Sequence, residues 1–510
     1  MWGTFDGREA AVRFENARAT VIGGTFQGNS RVEYGVRIDG GSDHEIRDVR
    51  VADLNANLGA GIDVGGDRSL VRNVTVERVH EGVVARGTLL RILDNRVERT
   101  TGDGVFVSGD APRVRRNLVV LSNANGLFVG GIEAEVTANV VRDSARDGLG
   151  LSGGRTVARD NVITGSGGDG VFLFTDGITL ENTTVADSRG GGIVSQGDGT
   201  VIRGAAVRNT GGTAVDYAGG NRGDNLLLAD VLIDGAFAGV NVSRGTNVTL
   251  DGVRVNDTDE AGISLGVYSR NVGNVSGSLV RNVTVTNAGD DAIRLGTGRD
   301  VRLEDVTVAG GSGDGVAARS VADLSLIGVA VANVSGTGVR TDRTAGLVLE
   351  EVRATDNGGV GVSVGGQLGT DSTVRARGVR AERNGGAGVS LRVVTGGTLR
   401  DLALRNNGGT GLSAVFTSDV AVRNLSTTDN SGFGAALLSR NVTLSDTVAT
   451  GNGDGPLSVP SGAPNAVENL TTERARLSAT VTSNWTRRRT PARSATAGCS
   501  ARGCSRRSRW

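Results

Sequence analysis

Phenylalanine is scarce in this 510-residue sequence, ten in all, yet Phe106, Phe128 and Phe172 recur at multiples of 22 residues. Asp103, Asn125 and Asp169 stand three places before them. Asp147 holds that place in the one copy without a phenylalanine, and Glu81, beside His80, holds it one copy earlier. Aromatic rings that can pack on sugar rings, rimmed by carboxylates that can accept hydroxyl hydrogen bonds or exchange a proton, are the equipment of a polysaccharide groove. Carboxylates at such short intervals also repel, which raises a pKa or recruits a cation such as Ca²⁺. A second group lies at Gly289-Asp290-Asp291-Ala292-Ile293-Arg294, with Asp314 about one copy later. Three carboxyl groups brought together there would suit acid and base work, and Arg294 would suit an acidic sugar's carboxylate.

The elements that must position these residues follow from the repeat. DGVFV (Asp103 to Val107), NGLFV (Asn125 to Val129), DGLGL (Asp147 to Leu151) and DGVFL (Asp169 to Leu173) share one glycine anchor, recurring mostly every 21 to 23 residues from Gly35 to Gly434. Residues one and three places after the anchor are apolar, which is the period-two signature of a strand with one buried face. The residue two places after it must then face outward, and this puts the three phenylalanines on one exposed strip. A second apolar run starts about twelve residues after the anchor, as in NLVV at Asn117 and NVIT at Asn161. A strand, turn, strand, turn unit of this length, with no helical period, predicts one coil of an all-β parallel β-helix, with about 18 coils of roughly 22 residues each. Residues 1–455 are expected to form that solenoid, 456–486 an end region marked by Pro456, Pro460 and Pro464, and 487–510 a disordered arginine-rich tail.

Two further features belong to the repeat. Asn73, Asn95, Asn117, Asn139 and Asn161 recur at the start of the second strand and predict a ladder of stacked amides. Sequons such as Asn73-Val74-Thr75, Asn282-Val283-Thr284 and Asn424-Leu425-Ser426 coincide with that strand start and are read as repeat signature first. Extra residues at 217–225, 267–277 and 365–373 all follow the first strand, so the three loops should project along one rim.

The pattern resembles the right-handed parallel β-helix proteins, the group that includes pectin-degrading enzymes, phage tailspikes and NosD-like surface proteins. Within that group GDDAIRL, Gly289 to Leu295, resembles the GDD motif of the polygalacturonase family, where an aspartate pair acts with a third aspartate as general acid and base. Asp290 and Asp291 match. The family's GHG falls on Gly313-Asp314-Gly315, so Asp314 replaces the histidine. Its arginine and lysine pair falls on Arg340 and Asp342, matching only the arginine, and its NTD meets Asp259-Glu260-Ala261 and does not match. The resemblance implies catalytic roles for Asp290, Asp291, Asp314 and Arg340. Copper handling, which a NosD likeness would imply, is opposed by the ligand supply: two histidines, His44 and His80, one methionine at the start, and no cysteine before Cys499.

Charge narrows the partners. Up to Thr486 the chain holds 47 arginines against 55 acidic residues, while eight arginines and no acids follow, so the body is mildly acidic. That disfavours nucleic acid. There is no transmembrane run, and the first residues do not read as a signal peptide, although proteins of this resemblance are usually exported, so a missing leader is expected. The reading that results is an extracellular or cell-surface β-helix that binds or processes polysaccharide as a hydrolase or lyase. The alternative is a non-catalytic structural or adhesion rod, and the phenylalanine strip could equally join copies in a homo-oligomer.

Overall fold

The computed structural model describes residues 9–15, 18–28, 31–55, 57–218, 224–267, 274–461 and 464–472. The chain divides into a unit of residues 1–473 and a second of 474–510, which lies wholly outside the described residues together with both cysteines and the arginine-rich tail. The first unit is a parallel β-solenoid of about 19 turns spaced about 23 residues apart, with no helix among the described residues.

Each typical coil has three strands rather than the two expected. The first-face strand Val105–Ser108 leads to Arg113–Arg115 on a second face and to Leu118–Ser122 on a third. The middle strand escapes sequence patterning because it supplies one inward residue per coil: Ile92, Val114, Val136, Ala158 and Leu180 in succession. A single apolar residue shows no alternation. Between the second and third strands, and again near the end of the third, one residue takes the left-handed conformation, as at Asp94 (φ 60°) and Arg99 (φ 53°).

Parity is as the repeat requires. Val105, Val107, Leu127, Val129, Leu149, Leu151, Val171 and Leu173 are all buried in one continuous core. The anchors are glycine because the coil has no room there. A Cβ at Gly104 would fall 2.5 Å from the Gly126 carbonyl oxygen and closer still to Val119 Cγ1.

Asn95, Asn117, Asn139 and Asn161 form a buried ladder, each Nδ2 donating to the next Oδ1 at 2.8, 2.9 and 3.1 Å. Asn73 does not belong to it. Its coil is one residue shorter, so Asn73 falls on the exposed left-handed corner (φ 52°) and Val74 takes the ladder place. Asn282 and Asn424 occupy the same corner, donating to Asp251 and Asp401. A second ladder runs through the buried Asn357, Asn384, Asn407 and Asn430 to the partly buried Asn452 at the other corner, with links of 2.8 to 2.9 Å.

Parallel pairing continues past Gly455 into Ala466–Thr472. Of the three insertions, 365–373 is fully described, while 219–223 and 268–273 lie outside the described residues.

Candidate functional site

Both groups of candidate residues stand on the first face, in the same two columns. The outward column, two places after each anchor, pairs coil by coil as Asp63, Val84, Phe106, Phe128, Gly150, Phe172, Val194 and Asp216. It continues through Asn241, Ser264, Arg294, Ala317 and Arg340. The column immediately before the anchors carries Glu81, Asp103, Asn125, Asp147 and Asp169, and later Asp291 and Asp314. Five coils separate Phe172 from Arg294, roughly 24 Å at the strand spacing.

In the aromatic stretch the rings pack on each other. Phe106 and Phe128 lie 5.4 Å apart and 8° from parallel, too close for two rings side by side in one plane, so they are offset-stacked. Their facing surfaces are therefore committed to each other, and the half-buried strip offers ring edges rather than open faces. A residue the repeat did not single out completes the cluster. Phe174, two places beyond Phe172 and 42 % exposed, meets Phe172 at 4.2 Å and Phe128 edge-on at 5.9 Å. It crosses the gap above Gly150, where a Cβ would fall 2.8 Å from Phe128 Cδ2. Its sequence signal is the fourth aromatic or apolar letter of VFLF, one place beyond the five-residue DGVFL repeat. At the other end the Arg86 guanidinium sits over Phe106, 5.7 Å from its centroid, while its Nη1 bonds Asp63 at 2.9 Å.

The acids beside the rings have a structural task. Asp103 Oδ1 accepts the Asn125 backbone N–H at 2.9 Å, Asp147 Oδ1 that of Asp169 at 2.9 Å, and Asp169 Oδ1 that of Gly191 at 2.6 Å. No arginine pairs with Asp103, Asp147 or Asp169 among the described residues. Burial pushes the Asp169 carboxyl above its ordinary range, and the charges of Asp147 and Asp216 add to that. Glu81 is raised in the same way by burial, with Asp103 and Asp63 as like charges and His80 and Arg86 opposing. His80 bonds Thr101 Oγ1 at 3.0 Å, whereas His44 is buried between the Ala19 N–H and the Gly40 carbonyl.

Around Asp290 the columns are the same and the outcome differs. Arg294 donates to Asp290 Oδ2, and through Nε to Asp291 Oδ2 at 3.1 Å. Asp291 Oδ1 accepts the Asp314 N–H at 3.0 Å, and Asp314 Oδ1 accepts that of Thr337 at 2.6 Å. Arg340 Nη1 reaches Asp314 Oδ2 at 3.1 Å. All three carboxylates thus already have an arginine partner. Burial works to raise Asp290, but the Arg294 hydrogen bond and charge outweigh it and hold this carboxyl below the usual range. Asp314, 6 % exposed, is raised by burial despite Thr337 and Arg340. Among the described residues no three Asp, Glu, His or Cys side chains converge to hold a metal ion, so the acidic column is not a ready Ca²⁺ cage.

No curated protein sequence matches this chain. Solved structures do. A periplasmic alginate epimerase shares 12 % identity over 61 % of this chain and 78 % of its own, with a TM-score of 0.42. The catalytic domain of a GH87 alpha-1,3-glucanase gives 14 % over 57 % and 59 %, at 0.36, and a PL6 family alginate lyase 11 % over 90 % and 97 %, at 0.29. Likeness at this level concerns the fold alone. The sequence itself matches the family described as right handed beta helix region over residues 10–156, 125–275 and 265–419, so this chain belongs to the right-handed β-helix family.

Proposed function

We infer that the first face between Asp63 and Asp216 binds a hydroxyl-rich polysaccharide, and that the protein works outside the cell or at its surface. The observation that carries this reading is the four-ring cluster of Phe106, Phe128, Phe172 and Phe174, flanked by Asp103, Asp147 and Asp169, which pair with no arginine among the described residues. The exposed Phe174 ring, with the outer edges of its neighbours, offers apolar surface to the C–H groups of a sugar, and carboxylate oxygens accept sugar hydroxyls. Uncompensated acids favour a neutral polymer over an anionic one.

The same acids can carry chemistry. Asp147 and Asp169 stand one coil apart, about 5 Å, within the range of a retaining carboxyl pair. The raised Asp169 or Glu81 supplies the proton donor that hydrolysis needs. The Asp290, Asp291 and Asp314 group, with its arginines engaged, is the weaker acid and base candidate.

The test is a panel of neutral and acidic polysaccharides, scored for binding and for reducing-end release. Phe106→Ala with Phe172→Ala should weaken binding to the preferred glycan about tenfold, near 1 kcal/mol or more for lost ring contacts. Asp169→Asn should remove turnover while weakening binding less than the phenylalanine pair does. A non-catalytic rod is the second reading, favoured by the backbone hydrogen bonds that Asp103, Asp147, Asp169, Asp291 and Asp314 all accept alike. It predicts no reducing ends from any polymer. If the phenylalanine pair changes the mass in solution instead of glycan binding, the strip is a subunit interface.

A further inference from the structure

Many arginines in the N-terminal half stand against acids. Arg68 meets Asp43, Arg78 meets Asp53, Arg116 meets Asp94 and Arg155 meets Glu133, each pair on adjoining coils. On the second face of the C-terminal half this alternation stops. Arg377, Arg400 and Arg423 are direct neighbours in one outward column, bounded by Glu350 on one side and Ser445 on the other. All three are exposed. Arg375 shares the strand of Arg377, and Arg353 and Arg380 stand just across the corner on the third face, also exposed. Of the six, only Arg377 has a carboxylate within ion-pair range among the described residues, and that is Asp401 at 3.7 Å, both side chains open to solvent.

Three guanidinium groups held one coil apart, about 4.8 Å, repel each other, and within the fold only the open Arg377–Asp401 pair and Glu350 at the column's end offset this. A body that is net acidic elsewhere has here placed a row of fixed, fork-shaped donors at polymer-like spacing. Each fork can take a sulfate or carboxylate through two N–H bonds. Among the described residues no aromatic side chain stands in the arginine columns, so the aromatic platform on which single-stranded nucleic acids stack is lacking, which favours a charged sugar chain. We propose that the Arg377, Arg400 and Arg423 ladder is a second binding site, for a polyanionic polysaccharide, on a different face from the aromatic stretch. It does not depend on the neutral-glycan reading. The molecule would then hold an acidic polymer through one face while working on a neutral one with another.

The experiment uses the full-length chain with the eight arginines from Arg487 to Arg509 replaced by glutamine, so that the tail contributes no charge. Dextran sulfate should bind this protein with an affinity that falls steeply as salt rises, and any binding of unsulfated dextran should lack that salt dependence. Adding R377Q, R400Q and R423Q should weaken dextran sulfate binding at least tenfold with an unchanged melting curve, whereas adding Phe106→Ala and Phe172→Ala should leave it untouched. Equal binding by the triple arginine variant would overturn the proposal. So would double-stranded DNA binding as tightly as dextran sulfate at equal charge, which would make the ladder a nucleic-acid site instead.

Discussion

Asp147 and Asp314 hold the same place in their coils, one residue before the anchor, and each gives an Oδ1 to the backbone N–H of the following coil. What separates them is the outward column beside them. Around Asp314 it carries Arg294 and Arg340, and the carboxylates are spoken for. Around Asp147 it carries Phe128, Gly150 and Phe172, and the remaining carboxylate oxygens face no cation. One scaffold position thus yields a neutralised structural acid in one stretch and an available acid in the other. The aspartate does not decide this. The outward column does, through Arg294 of the same coil for Asp291 and through Arg340 of the following coil for Asp314, which is why acidic residues counted along a repeat are a poor guide to chemistry unless the adjoining column is read with them.

The comparison rests on the register, so the largest effect comes from breaking it. Leu149 is 1 % exposed and lies directly between Gly148 and Gly150. Leu149→Asp puts a charge into the core without a partner, at about 3 to 5 kcal/mol. A chemical-denaturation midpoint equal to that of the wild type would mean that the inward and outward columns are wrongly assigned.

Exchanging the deciding residues comes next. Phe128→Arg gives the aromatic stretch the chemistry of the other. It removes the ring contacts to Phe106 and Phe174, about 1 kcal/mol each, and offers Asp147 a cation. Glycan binding should fall at least tenfold, read by titration calorimetry. In the reverse direction Arg340→Leu leaves Asp314 buried without its arginine. Because the Arg340 side chain is itself 47 % exposed, the loss should be only about 1 to 2 kcal/mol.

Protons distinguish the stretches by sign. Asp169 and Glu81 are raised by burial, so each holds its proton more tightly folded than unfolded. Their contribution to stability is fully present below the ordinary carboxylate pKa and is lost as pH rises through the raised value. Asp290 is depressed, so its contribution is present above the ordinary value and is lost as pH falls through the depressed one. Between about pH 7 and about pH 3, Asp169→Asn should therefore melt above the wild type at neutral pH and converge on it in acid. Asp290→Asn should melt below it at neutral pH and converge likewise. Parallel curves for the two variants would remove the electrostatic distinction.

How much of this was legible in the sequence follows from which residues repeat. Period-two pairs such as Val105 and Val107 gave the first face and the buried side without ambiguity, and the columns of candidate residues came with them. The middle strand was hidden because Val114 alone carries no alternation. Asn73 was misplaced because equal sequence spacing is not equal coil spacing when a coil is one residue short. The orientation of the rings was beyond any pattern, since offset stacking of Phe106 on Phe128 depends on rotamers and on what stands one coil away. Phe174 was missed for a related reason: its importance comes from a space left by Gly150, and an absent side chain leaves no mark in a hydrophobic period.

That space supplies the smallest and most local test. Gly150 is an ordinary extended strand residue, not a left-handed one, so its backbone accepts any side chain and only its surroundings require glycine. A methyl there would sit 2.8 Å from Phe128 Cδ2 and 3.5 Å from Phe174 Cε2. Phe174, largely exposed, can swing away, but Phe128 is held against Phe106 and must tilt out of the stack or strain. Gly150→Ala should therefore cost about 1 kcal/mol, offset in part by the alanine's lower unfolded-state entropy. It should also weaken glycan binding more than it weakens the fold, because it splits the aromatic cluster without removing a ring. The equivalent change in the other stretch, Ala317→Gly, between Arg294 and Arg340, meets no aromatic ring and should leave binding alone. If Gly150→Ala binds glycan as the wild type does while the double variant Phe106→Ala, Phe172→Ala does not, then the rings act singly. The continuity of the strip across the gap would then have no part in recognition.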